Sequence, residues 1–250
     1  MKSGPFLGLV CLLAASVAFA YILPGTSVLR RMVETRNSIE FSNGRIEGGL
    51  SFFGEAARQA ATTLHASIQG SELASEGSVF LKLPGRCRIE SATLDGSKVA
   101  AVFSRGRLRA EGAEVAALAA AVEQICAILG SRGGSESQQR SMLERHLDGL
   151  KIDVRLSWLG RLAGKVAYVV GNSGEGAPRF WVYKDSFLPA RLQWTDSQQT
   201  QWDLRLIDYG SPITGGWFPR IVEVARNGEL ALRFTAVKAN LQTSSPDKVF

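Results

Sequence analysis

Histidine is nearly missing from this 250-residue chain: His65 and His146 are the only two. No H-E-x-x-H helix occurs, and no cysteines or carboxylates cluster at metal-ligand spacing, which removes the common zinc chemistries. The nucleophile elbow G-x-S-x-G is also absent. GNSGEG (171–176) has the wrong spacing and lies between two strand patterns. No glycine-rich stretch leads into a helix, as a phosphate-binding loop must. The sequence therefore offers no catalytic constellation, no metal site and no cofactor motif. His146 falls on the apolar stripe of its helix, where a core-edge histidine with one satisfied nitrogen is expected; a role in an exported hydrolase is the weakest reading. Asp208, in LIDYG, is expected at a strand end, stabilising the following turn.

Long apolar runs are lacking too, except at the start. MKSGPFLGLVCLLAASVAFA has a positive residue at Lys2, an apolar run from Phe6 to Val17 and an A-x-A site at Ala18–Ala20. The run is short of the ~20 residues a transmembrane helix needs, so a cleaved export signal is preferred to an uncleaved anchor. Lipid modification at Cys11 is disfavoured by the bulky Val10 before it. Cleavage after Ala20 leaves residues 21–250 as one domain, destined for the periplasm, and a monomer is expected. Only Lys2 is lost from the charge balance, so the net charge falls from +6 to +5. That basicity is scattered and forms no nucleic-acid motif, so nucleic acid is not an expected partner. Of three cysteines, Cys87 and Cys126 survive cleavage. In an oxidising compartment they either bridge or remain two buried thiols, and the sequence leaves both open.

What the chain does have is alternation. In EGSVFLKLPGRCRIES (76–91), Val79, Leu81 and Leu83 alternate with Phe80 and Lys82 up to the Pro84–Gly85 break; Cys87 and Ile89 then alternate with charged residues. HASIQGSELASEGSVFLKL reads as two strands, and Asp95-Gly96 and Asn227-Gly228 mark hairpins. From DVRLSW onward the chain is strand after strand, with Trp202, Leu204 and Leu206 set against Asp203 and Arg205. Helical spacing appears over 26–39, with Thr26 or Ser27 as cap and Leu29, Met32, Val33 and Arg36 on one stripe. It recurs over 113–130 and 138–150, while 55–64 is ambiguous between a helix and a connector. The fold class is α+β: a large curved antiparallel sheet, apolar on one face, whose helices look thin as cover.

These strings, in this order, resemble the outer-membrane lipoprotein carrier family (LolA/LolB-like). The resemblance lies in EGSVFLKLPGRCRIES, in LDGSKVAAVFS, in DYGSPITGGWFPRIVEV and in the closing NGELALRFTAVKANLQTSSPDKVF. It implies an unclosed half-barrel with helices as a lid over a hydrophobic cavity. It also implies lipid or lipoprotein acyl chains as partners, with a further membrane partner protein, and no covalent chemistry. On this reading Val79, Leu81, Phe180, Val182, Leu192, Trp194, Trp202, Leu204, Leu232 and Phe234 line the cavity. Leu118, Val122, Ile125, Leu143 and Leu147 sit on the lid. Periodicity alone describes all of them equally well as ordinary core. One departure stands out: the carriers have an arginine before the strand proline, and here that position is Leu83. General acyl-chain binding survives this better than energy-coupled lipoprotein sorting. The alternative is a non-catalytic protein-interaction or stress-sensing module of the envelope on the same fold.

Overall fold

The computed structural model of the chain describes residues 22–39, 42–93, 95–130, 132–241 and 246–250. The export signal and its cleavage site lie outside the described residues. Twelve strands form one sheet. The first meander comprises β1 (Asn43–Phe53), β2 (Glu72–Lys82), β3 (Arg86–Ala92), β4 (Lys98–Ser104) and β5 (Arg107–Glu111). The second comprises β6 (Ser157–Leu162), β7 (Lys165–Gly171), β8 (Arg179–Tyr183), β9 (Pro189–Thr195), β10 (Gln201–Ile207), β11 (Ile221–Arg226) and β12 (Glu229–Asn240). The order across the sheet is β5-β4-β3-β2-β1-β12-β11-β10-β9-β8-β7-β6, so the two meanders are joined at the centre by an antiparallel β1–β12 seam. β5 and β6 are the two ends, and the sheet is open, as the resemblance implies.

The helices gather on one side of it. α1 (Gly25–Asn37) buries Leu29, Met32, Val33 and Arg36 along the expected stripe. It begins two residues earlier than a cap at Thr26 requires, and three earlier than one at Ser27. Pro24 precedes its first turn, and a side chain at Gly25 would lie 2.3 Å from the Val154 carbonyl oxygen. The ambiguous segment is a helix, α2 (Gly54–Leu64), which buries an alanine stripe against β1, β2, β4 and β12. α3 (Ala116–Ile125) runs on into a π-helical turn, Cys126–Gly130. α4 (Glu136–Gly149) opens with a capping box, the Ser135 and Gln138 side chains each accepting from the other's backbone N–H.

Two strand readings need correction. HASIQGSELASEGSVFLKL makes one strand, β2, because the chain turns at Gly70 (φ +64°) and Gln69 and Glu72 pair across that turn. DVRLSW is a strand only from Ser157. Asp153 accepts from the Arg155 N–H at 3.0 Å and holds 153–156 in a turn. The Asp95–Gly96, Pro84–Gly85 and Asn227–Gly228 turns occur where expected.

Candidate functional site

The side chains predicted to line a cavity all sit on the helix-covered face of the sheet, and all are buried. Register shows how. Val79 pairs with Ile46 and Ile89, and Leu81 with Cys87. Leu232 and Phe234 pair across the central seam with Phe52 and Leu50. Phe180, Leu192 and Leu204 form one cross-strand row through β8, β9 and β10, and Trp194 and Trp202 stack at 6.1 Å in the next. Bulges on β9, at Ala190, and on β12, at Ala231 and Val237, do not reverse the faces of these ten side chains. None of the ten is more than 7% exposed, so the layer is densely filled.

Leu118, Val122 and Ile125 point from α3 into this layer, and α3 lies directly on β3, β4, β5, β11 and β12. Leu143 and Leu147 are buried elsewhere: α4 packs on α1 and on the π-helical turn, forming a second storey. α3 is fastened at its C-terminal end. Cys87 of β3 and Cys126 are joined by a disulfide, with 5.6 Å between Cα atoms, which resolves the alternatives left open by the sequence. A side chain at Gly130 would fall 2.8 Å from the Cys87 sulfur, so the glycine makes room for the bridge. The Gly85 N–H, in the β2–β3 turn, donates to the Gly130 carbonyl at 2.8 Å. Leu83, in the same turn, donates its N–H to Ser42 at 2.9 Å.

Arg36 completes this anchorage. Its Nη1 donates to the Ile128 carbonyl and its Nη2 to Gln139 Oε1 at 3.4 Å, tying α1 to the π-helical turn and to α4. Burial, with the nearby positive charge of Arg132, pulls its pKa down to about 10. The sequence placed Arg36 on the apolar stripe of its helix; an arginine there is the signal of a buried, backbone-binding role.

At the other end of α3 no side chain caps Val115. Clefts open on both sides of this end. One, of about 260 Å³, lies between α3 and the β4–β5 hairpin and is lined by Ala101, Leu108, Ala110, Val115 and Leu118. The other, of about 220 Å³, lies between the starts of α2 and α3 and the β11–β12 hairpin, with Ala116, Ala117, Leu230 and Ala231 in its walls. Both fall below the roughly 300 Å³ at which ligand pockets begin. A larger groove, about 540 Å³, lies on the opposite face over Gly48, Gly49 and Gly77, rimmed by Arg45, Glu47 and Glu76.

The remaining chemistry-bearing groups have structural partners. His146 Nε2 lies 2.7 Å from Gln124 Oε1, and burial lowers its pKa, which favours the neutral ring. Asp208 stands at the end of β10, where its carbonyl accepts from the Arg220 N–H and its carboxylate lies 3.7 Å from that guanidinium. Among the described residues no three His, Cys, Asp or Glu side chains are grouped to hold a metal, and no helix is long and apolar enough to cross a membrane.

The architecture is the α+β one expected: an open antiparallel sheet with helices on one face. No family model and no curated protein matches the chain. Among solved structures it is similar to a LolA superfamily protein from Nitrosomonas europaea, at 10% identity and a TM-score of 0.48, covering 91% of this chain and 97% of that one. It is also similar to a DUF1329 family protein from Desulfovibrio piger, at 13% identity and TM-score 0.44, over 90% and 95% of the two chains. Against MucB the identity is 17% and the TM-score 0.29, over 90% of this chain and 61% of MucB. Scores below 0.5 at such identities transfer no activity to this chain.

Proposed function

We propose that this chain binds or carries lipid acyl chains in the periplasm, taking them between α3 and the helix-covered face of the sheet. The observation behind this reading is that α3 is tied down at its C-terminal end and flanked by clefts at its N-terminal end. The disulfide, the Gly85–Gly130 bond and Arg36 hold the C-terminal end of α3. Its N-terminal half meets the sheet mainly through alanines and Leu118 and is flanked by the two clefts. Lifting that half would join the two clefts over the part of the buried layer that α3 covers on β4, β11 and β12. Small side chains make the movement inexpensive, because each alanine buries little apolar area. Every acyl methylene that replaces water contact with this layer contributes about 0.8 kcal/mol, so a long chain binds without polar anchors.

The test is to produce the protein in a periplasm, purify it without detergent and record its native mass before and after organic extraction. Extra mass that vanishes on extraction, with phospholipid or acylated peptide recovered, is the expected result. A bare polypeptide mass, with no uptake of added acyl ligands, would overturn the proposal. It would favour the second reading, a protein-interaction or stress-sensing module, which has its own support in the dense filling of the inner face. Trp202→Ala is the preferred site variant, because its ring lies at the end of the layer, bonded to Asp196 at 2.9 Å and stacked on Trp194. It should weaken binding of a fluorescent fatty acid while leaving the protein folded.

A further inference from the structure

The two ends of the sheet are finished differently. β6 is half-buried along most of its length, and Ser157 at its start donates to the Leu23 carbonyl, so the chain leading into α1 runs against it. β5 is five residues long, and Arg107, Leu108, Arg109 and Ala110 are all exposed. Its only ladder among the described strands is with β4, which leaves the other edge's N–H and C=O groups facing outward. Exposed edges of this kind accept a further strand.

The side chains of β5 specify what kind. Leu108 and Ala110 project to the helix side, opposite Phe103 and Ala101, and Leu108 is 43% exposed at the rim of the cleft beneath α3. Arg107 and Arg109 project to the other side. Arg105, in the preceding turn, is exposed as well, and the stretch from Arg105 to Glu111 carries three arginines against one glutamate. That glutamate is already shared among Arg88, Lys98 and Arg109. An incoming strand therefore meets an apolar step on one face and an excess of positive charge on the other. A second copy of β5 is a poor match, since antiparallel pairing would set arginines beside arginines.

We infer that β5 is a docking edge for an extended segment of a partner protein in which acidic and apolar residues alternate. Backbone hydrogen bonds continue the sheet, carboxylates pair with Arg107 and Arg109, and an apolar side chain enters the cleft beside Leu108. This stands independently of acyl-chain binding.

The probe is a labelled heptapeptide alternating aspartate and valine, titrated into the whole chain by fluorescence anisotropy, with backbone amide exchange read in parallel. Saturable binding is expected, with slowed exchange in residues 107–111. The double variant Arg107→Glu/Arg109→Glu, exposed and so compatible with folding, should weaken binding by about tenfold or more. It should also gain affinity for the lysine–valine counterpart. Leu108→Asp should weaken the original peptide without that swap. The inference fails if the alternating peptide does not bind, or if a block-ordered peptide of the same composition binds as well. It also fails if charge reversal leaves the affinity unchanged, or if the protected amides lie outside β5.

Discussion

On β10 the side chains of Trp202, Leu204 and Leu206 go to the helix side, while Asp203 and Arg205 go to solvent. The helix side is almost dry. The solvent side carries a lattice of ion pairs: Arg191 bidentate on Asp203 at 2.7 Å, Arg205 on the same carboxylate at 2.9 Å, and Arg233 on Glu223 at 2.7 Å. The strands are the same on both sides, so the contrast isolates the two kinds of interaction. A fully buried aliphatic or aromatic side chain contributes about 1.5–3 kcal/mol through its removal from water. An exposed ion pair contributes roughly 0–1 kcal/mol. Stability should therefore reside on the inner face, and the outer ladder should mainly keep the sheet soluble and in register.

The strongest way to break the contrast is from inside. Phe234→Ala, at a position 1% exposed, should lower the unfolding free energy by about 3–5 kcal/mol in urea denaturation. Removing the bridge with Cys87→Ser/Cys126→Ser should cost about 2–4 kcal/mol in the same assay, because it frees a connection spanning 39 residues. Arg88 tests a place where the outer face behaves like a core. Its side chain is 4% exposed, bonded to Glu90 and to Glu111 and donating to the Val249 carbonyl. Arg88→Ala should cost about 1–3 kcal/mol, whereas Arg233→Ala, at half-exposed Arg233, should cost less than about 1 kcal/mol. Equal losses at Arg88 and Arg233 would contradict the distinction.

Acid offers the gentlest probe. Hydrogen bonding to Arg88, helped by Lys98, holds the Glu111 carboxyl down at about 2 against an ordinary 4.5. A depressed carboxylate pKa stabilises the fold above the unfolded-state value and stops doing so as pH falls through the folded one. The stability difference between the native chain and Glu111→Gln should therefore be full above about pH 4.5 and fade toward pH 2. A difference that does not change across that window would remove Glu111 from the cluster's energetics.

Much of this was readable in the residues. Strict alternation places Leu232, Phe234, Leu204 and Trp202 on one face because the side-chain period of a strand is two, and no bulge reversed it. Turn chemistry at Asp95–Gly96 and Asn227–Gly228 located the hairpins. The union of β1 with β12 was not readable, because pairing between residues far apart leaves no local mark on either strand. Nor was the placement of α4, whose apolar stripe looks the same whether it covers a sheet or another helix. The cysteine pair needed geometry: adjacency of β3 with the end of α3 is a tertiary fact. Arg36 was visible as an oddity on an apolar stripe, but only its carbonyl partner shows what it fastens.

The seam between β1 and β12 also governs the order in which the molecule can be completed. A chain emerging N-terminus first presents β1 early, and β2 can cover one of its edges almost at once. The other edge waits for the last strand, some 180 residues later, to pair Phe52 with Leu232 and Leu50 with Phe234. Until then the middle of the sheet is itself an end, with apolar side chains beside unpaired backbone. A chain cut before Glu229 should accordingly be protease-sensitive and prone to self-association, whereas one shortened only at Pro246–Phe250 should not. The central seam is thus the last strand pairing that chain order allows, and the interval before β12 arrives is expected to be the one of greatest exposure to misassociation.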